Sequence, residues 1–172
     1  MPIEAAVLVP IYRLPDDDLM LVAVRRSDWG IHGGQIAFPG GKRETADASL
    51  WETALREARE EIGLQAESVG HVADLPVEET LTTEFRVTPF LVRIDPPARW
   101  VIDTREISEV LEVRLSELTR PEAHGEEYKS WPAWSEPMRV PFYRIGSHQL
   151  WGASYRILEP LIRRLSSGEI AI

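Results

Sequence analysis

Apolar and polar positions follow two different rhythms along this chain. Ala5 to Ile11 and Leu19 to Val24 are β-rich apolar runs, and the polar stretch Pro15-Asp16-Asp17-Asp18 between them predicts a hairpin. The three aspartates read as a solvated turn rather than a metal site. Gln35 to Phe38 gives a third short strand, running into Gly40-Gly41. From Ser49 the rhythm changes to helical spacing, with Trp51, Ala54, Leu55, Ala58 and Ile62 forming one apolar stripe. Ser49 and Glu52 make a capping-box pair at its start, and Gly63 suits the position just past its end.

The strand rhythm then returns over Val69 to Val77, Phe85 to Ile94 and Val110 to Leu115. Pro89 predicts an edge or an irregularity in the second of these, because proline has no ladder donor. Glu122 to Pro137 reads as a loop whose Trp131 and Trp134 either line a substrate mouth or pack it against the body. Arg139 to Tyr143 and His148 to Trp151 predict a closing hairpin. Ala153 to Leu165 carries Ile157, Leu158, Leu161, Ile162 and Leu165 on one helical face, with Pro160 predicting a kink or a later start. No internal repeat or composition break divides residues 1–172. The order of elements predicts one α/β domain, an α/β/α sandwich with a mixed sheet.

Composition narrows the chemistry. With 172 residues, 44% hydrophobic and 27% charged, the chain has the make-up of an ordinary globular domain large enough to bury a core unaided. It has no cysteine, so disulfides, thiolate zinc sites and cysteine nucleophiles are excluded. Met1-Pro2-Ile3-Glu4 has no basic leader character and no apolar run reaches membrane-spanning length, so no membrane contact and a cytoplasmic location are expected. A formal net charge of −9 argues against a nucleic-acid partner. It leaves small phosphorylated substrates open, because a bound cation inverts the local field.

The most informative segment is Arg56-Glu57-Ala58-Arg59-Glu60-Glu61-Ile62-Gly63-Leu64. At about 100° per residue, Glu57 and Glu61 fall about 40° apart, with Glu60 about 60° to the other side of Glu57. Like charges at that spacing repel and weaken a helix. A shared divalent cation removes the penalty, and hard oxygen donors favour Mg²⁺, Mn²⁺ or Ca²⁺. The competing reading is a solvated face in which Arg56 and Glu60 make an ordinary i,i+4 pair. The fixed positions of R-E-x-x-E-E-x-G arise by chance in such a chain only about once in 10⁵, and a Gly-Gly strand end stands just upstream, so the metal reading prevails. The apolar stripe is expected to pack into the core while the acids face a cleft on another side of the helix.

The Gly-Gly turn, the capped helix and R-E-A-R-E-E-I-G-L together resemble the Nudix box of the Nudix hydrolases. Those enzymes cleave diphosphate linkages in nucleoside diphosphates joined to a further moiety, with Mg²⁺ or Mn²⁺. Further segments resemble the coenzyme A pyrophosphatase branch of that family. They are Arg26-Ser27, His32 with Gly34-Gln35-Ile36-Ala37-Phe38-Pro39-Gly40-Gly41, Asp47-Ala48-Ser49, Val87-Thr88-Pro89-Phe90 and His148-Gln149-Leu150-Trp151-Gly152. There are two departures. Ala48 stands where the general pattern has a Glu, with Asp47 one residue out of step. Gly30 stands where the branch has a second Arg, in a loop one residue short.

The resemblance implies the Nudix fold and hydrolysis of coenzyme A or acyl-coenzyme A to 3′,5′-ADP and the (acyl-)4′-phosphopantetheine. The loop at Gly30 leaves ADP-ribose, NADH or a dinucleoside polyphosphate as alternative substrates. A nucleotide-sensing module without catalysis is a third reading, against which the intact glutamates weigh. The implied metal ligands are Glu57, Glu61, Glu60 and the backbone carbonyl of Gly41 or Gly40. Arg56 is expected to orient a helix carboxylate. Glu106, Glu60 or hydroxide on the metal is the expected base. Arg26, His32, Lys42 and Arg43 are the candidate phosphate contacts, and each is also readable as an ordinary surface residue. Trp151 and Gly152 read as packing, and a homodimer is expected by analogy with the family.

Overall fold

In the computed structural model, which describes every residue except Ile31 and Thr82, the core is a mixed sheet covered on both faces. Strands β1 (Ile3–Arg13) and β2 (Leu19–Arg26) form the predicted hairpin, followed by the short strands β3 (Ile36–Ala37) and β4 (Gly40–Lys42). Helix α1 (Leu50–Ile62) leads to β5 (Val69–Asp74), β6 (Glu78–Glu79), β7 (Phe85–Ile94) and β8 (Ile107–Arg114). The chain ends with the one-turn helix α2 (Leu115–Leu118), strands β9 (His124–Lys129), β10 (Met138–Ile145) and β11 (His148–Trp151), and helix α3 (Ala153–Ser166).

The sheet has a wedge at its centre. β1 pairs with β2 only where Ile11–Arg13 meet Leu19–Leu21. Beyond that the two strands splay apart and the returning chain fills the gap, β3 pairing with β2 at Val24–Arg25 and β4 with β1 at Ala5–Val7. β7 runs parallel to β1 on its other side, and β8 runs antiparallel along β2. The wedge carries Gly40 and Gly41 into the middle of the fold.

Burial on both faces explains the unbroken apolar runs of β1 and β2. Ala6, Leu8, Val22 and Val24 meet Ala54, Ala58 and Ile62 of α1 on one face. Ala5, Val9, Ile11, Leu21 and Ala23 meet Ile157, Leu158, Leu161 and Ile162 of α3 on the other. At roughly 1.5–3 kcal/mol for each large side chain removed from water, these two layers dominate the stability. The sandwich is therefore present, with one correction. Residues 124–129, expected within a loop, form a strand, so the second outer layer is α3 together with a three-stranded sheet, β11-β10-β9. The alternation in His124-Gly125-Glu126-Glu127-Tyr128-Lys129 is too polar to betray a strand that pairs only at the periphery.

The caps of α1 follow the sequence. Ser49 Oγ accepts from the Glu52 N–H at 3.2 Å, and Glu52 returns the bond to the Ala48 N–H at 3.0 Å. Gly63 adopts φ 72° at the C-terminal end. Pro89 sits where the neighbour of β7 changes from β6 at Val87 to β5 at Phe90, so its missing N–H costs no ladder bond. Pro160 does not delay α3, which begins at Ala153. No helix among the described residues is long and apolar enough to cross a membrane.

Candidate active site

The wedge sets α1 against β4, and there the acidic side chains converge. Glu57 and Glu61 stand one turn apart on α1, and Glu106 arrives on the loop that leads into β8. One carboxylate oxygen from each lies within 4.8 Å of the others. Glu61 is only 1% exposed and accepts a hydrogen bond from the Gly40 N–H at 3.0 Å. Arg26, at the end of β2, places Nη1 3.7 Å from Glu61 Oε1. Gly41 lies so close to Glu57 that a Cβ added there would stand 2.5 Å from its carboxyl carbon.

Burial therefore did not follow the expected division between an apolar stripe and an acidic face. Glu61 is as deeply buried as Ile62, because the β3–β4 wedge covers it. Burial pushes the Glu61 carboxyl up to about 8, with the Gly40 N–H and Arg26 opposing and the charges of Glu57 and Glu106 adding to the rise. Burial also raises Glu57, against the pull of Arg56. Carboxyls that burial disfavours in their charged form, grouped inside a cavity, mark a candidate functional site. Three hard oxygen donors at this separation fit a divalent cation, which would replace their mutual repulsion with attraction.

Glu60 is not part of this group. It points away, half exposed, and pairs with Arg56 at 3.1 Å. Arg56 is instead the hub of the helix's outer side. Its Nε and Nη2 clamp the Asp47 carboxylate at 2.9 and 3.0 Å, its Nη1 reaches Glu57 at 3.0 Å, and its Nη2 also donates to the Lys42 carbonyl at 3.1 Å. Thr53 Oγ1 donates to the same Asp47 at 2.9 Å. Asp47, one residue out of step in the sequence, is thus the anchor that fixes Arg56 and, through it, Glu57. Nothing in the local sequence pattern alone points to this role. The signal was its place beside Ala48, where the general pattern puts a Glu.

A cavity of about 430 Å³ opens from the carboxylates. Its lining includes Arg26, His32, Lys42, Glu57, Glu61 and Glu106, the apolar side chains of Leu81, Phe85, Trp134, Trp151 and Ile157, and the polar Gln35, Thr80, Thr83, Ser154 and Arg156. Arg43, a predicted phosphate contact, is not among its walls. Just past the end of β4, its guanidinium is tied to Glu4 at 3.0 Å. His32 reaches the cavity with its ring bonded to Gln35 at 3.2 Å and stacked on Trp131. Burial lowers its pKa, so at neutral pH it offers a neutral imidazole rather than a charge. Trp151 and Gly152, expected to be packing residues, line the cavity as well.

Residues 2–140 match the family model described as the NUDIX domain. The chain belongs to the Nudix family. It is 33% identical over 166 residues to a protein of Salmonella paratyphi B described as the uncharacterized Nudix hydrolase NudL, an alignment that covers 92% of this chain and 80% of that one. The Nudix fold recurs in solved structures. A MutT/nudix family protein from Enterococcus faecalis superposes with a TM-score of 0.66 at 16% identity, covering 97% of this chain and 63% of that one. The C. elegans Ap4A hydrolase, in a binary complex, gives 0.55 at 19% identity over 66% of this chain and 81% of that one. The NUDIX domain of Shewanella oneidensis NrtR, complexed with ADP ribose, gives 0.55 at 18% identity over 67% and 75%. As a Nudix hydrolase, the chain is a pyrophosphohydrolase acting on nucleoside-diphosphate-linked substrates.

Proposed function

We propose that this Nudix hydrolase cleaves the diphosphate of coenzyme A or acyl-coenzyme A, giving 3′,5′-ADP and the (acyl-)4′-phosphopantetheine. The observation that carries the reading is that one cavity holds both the Glu57–Glu61–Glu106 cluster and the apolar side chains of Leu81, Phe85, Trp134, Trp151 and Ile157. A diphosphate suits the first and an uncharged, partly apolar arm the second. Of the residues that resemble the coenzyme A branch, Arg26, His32, Gln35, Gly40 and Gly41 are among those that line the cavity. Because the lining runs from Ala5 to Ile157, the same reading takes residues 1–172 as one catalytic domain.

In this proposal Glu57, Glu61, Glu106 and the Gly41 carbonyl hold Mg²⁺ or Mn²⁺. When bound, the ion neutralises the carboxylates and the substrate oxygens and makes phosphorus more electrophilic. Arg26 and Lys42 approach the diphosphate oxygens. Arg56 does not touch substrate, because Asp47, Glu57, Glu60 and the Lys42 carbonyl occupy it. Glu106 takes the proton of the attacking water. It is exposed, it stands in the cluster, and its side chain makes no hydrogen bond among the described residues. Glu60, the other candidate base, is outside the cavity lining. Water oxygen bonds to one phosphorus, the bridging P–O bond breaks, and the leaving oxygen departs as a phosphate monoester.

One observation favours a second substrate class. Gly30 adopts φ 82°, a left-handed turn that suits glycine and not the arginine of the coenzyme A branch. A missing arginine weakens the case for a substrate with an extra phosphate and leaves ADP-ribose or a dinucleoside polyphosphate in play, ligands of the kinds named for the Shewanella and C. elegans proteins. The test is turnover of coenzyme A, acyl-coenzyme A, ADP-ribose, NADH and diadenosine polyphosphates with Mg²⁺ or Mn²⁺, with products identified by mass spectrometry. Coenzyme A substrates should lead in kcat/KM. ADP-ribose turned over far faster would overturn the proposal, and binding without turnover of any would favour a sensor.

A further inference from the structure

Two of the three clustered carboxylates are rigidly placed by a helix, but the third depends on a loop. The Glu106 side chain makes no hydrogen bond of its own among the described residues, so its position rests on how the backbone of residues 103–107 is held. One end of that loop is fastened to α1, where the Asp103 N–H donates to the Glu61 carbonyl at 3.0 Å. The other is fastened by Ser27, the first residue after β2. The Ser27 N–H donates to the Glu106 carbonyl at 2.8 Å, and its Oγ donates to the Thr104 carbonyl at 3.1 Å. Ser27 is itself only 8% exposed, one of the few buried polar side chains of the fold.

The strand pairing beside it is built to the same end. Arg26 pairs with Ile107 and Arg25 with Glu109, so Ser108 is an extra residue on β8. Such a bulge bends the strand and re-aims the side chains next to it. The bulge is pinned by the Ser108 hydroxyl, which donates to the Arg25 carbonyl at 3.2 Å and accepts from Arg25 Nη1 at 3.0 Å.

We infer that Ser27 is a positioning residue that sets Glu106 against Glu57 and Glu61 through its hydroxyl contact with the Thr104 carbonyl. The dipeptide Arg26-Ser27 then has a divided task, Arg26 meeting Glu61 directly and Ser27 delivering Glu106. This rests on the reading of Glu57, Glu61 and Glu106 as the cation site, and residues that orient metal ligands from behind typically matter by about 10–100-fold in affinity.

The test is Mn²⁺ titration of the metal-free protein, followed by electron paramagnetic resonance, with thermal unfolding recorded for every variant. Ser27→Ala, and the near-isosteric Ser27→Cys in case the alanine variant folds poorly, should weaken Mn²⁺ binding by about 10-fold. Ser27→Thr, which keeps the hydroxyl, should stay within about twofold of wild type. The deciding arm is the Glu106→Gln background, in which Ser27→Ala should add no further loss, because the group it positions is already disabled. Amide exchange at residues 103–107 of the metal-free protein should also quicken in Ser27→Ala. Unchanged Mn²⁺ affinity in both Ser27→Ala and Ser27→Cys would overturn the inference. So would an equal loss in the wild-type and Glu106→Gln backgrounds, which marks general loosening. If Glu106→Gln alone binds Mn²⁺ as wild type does, the cluster reading itself fails, a result distinguishable from failure of the Ser27 role alone.

Discussion

Gly41 and Glu57 share a space that only glycine leaves open, the missing Cβ standing 2.5 Å from the Glu57 carboxyl carbon. The neighbouring glycine is constrained differently. A Cβ at Gly40 would stand 2.3 Å from the Ala6 carbonyl oxygen, which is backbone of the central strand. One glycine makes room for a functional side chain and the other for the sheet.

Substitutions at the two positions should therefore separate function from folding. In Gly41→Ala the obstacle is the end of a flexible side chain, so Glu57 swings aside and the fold survives. We expect kcat/KM and Mn²⁺ affinity to fall by roughly 10–100-fold, with little change in the unfolding temperature. In Gly40→Ala the obstacle cannot move without parting β1 from β4, so the protein should be strongly destabilised or fail to fold. Thermal unfolding beside steady-state kinetics distinguishes the two, and equal destabilisation by both would refute the assignment.

The buried Glu61 gives the metal-free protein a pH dependence of unusual sign for a carboxylate. Its folded pKa is raised to about 8 from 4.5, so the folded state holds a proton that the unfolded chain releases. That contribution to stability is complete below about pH 4.5 and is lost as pH rises toward 8, at up to about 1.4 kcal/mol per pH unit. In EDTA the unfolding temperature should fall over this window. Mn²⁺ must displace the proton, so its affinity should rise with pH and level off near 8. Glu61→Gln should flatten the stability limb and lower activity by at least about 10². A flat profile in the unsubstituted protein would rule out a shifted Glu61.

Much of this site could be read from the chain because helical periodicity is local. Glu57, Glu61, the capping residues and the apolar stripe are fixed relative to one another by α1 alone. What could not be read is what tertiary packing adds. Whether Glu60 or Glu61 turns inward depends on the β3–β4 wedge, which no local pattern reveals. Asp47 finds Arg56 through a turn, and Ser27 reaches Thr104 across the sheet. The strand at residues 124–129 was missed for the same reason, since its partners supply its stability and its own pattern is polar. Glu106 was named only through the family resemblance. Its arrival beside Glu57 depends on a bulge between strands far apart in sequence.

The placement of Glu60 outside the cluster makes a prediction that distinguishes it from its neighbours. Its carboxylate is half exposed and its partner is Arg56, so Glu60→Gln removes a surface pair of small value. We expect activity within about threefold of wild type, against losses of at least about 10² for Glu57→Gln. A loss in Glu60→Gln as large as in Glu57→Gln would mean that Glu60 turns into the site when substrate is bound.

Asp47 offers the last test, because its role is both structural and indirect in catalysis. The Arg56 guanidinium, with the Glu44 N–H and the Thr53 hydroxyl, holds its carboxyl well below the usual carboxylate range. A depressed folded pKa contributes stability above the unfolded value of about 4, and that contribution is lost as pH falls through the acid range. Asp47→Asn keeps the shape but removes the charge that Arg56 clamps. The variant should unfold at a lower temperature at neutral pH and show a flatter acid limb than wild type below about pH 4. Arg56 would then orient Glu57 less well, and kcat should fall by roughly 10-fold while the KM for substrate stays nearly constant. An acid limb identical to that of wild type would show that the Asp47–Arg56 clamp does not carry the linkage. A change confined to KM would instead place Arg56 on the substrate.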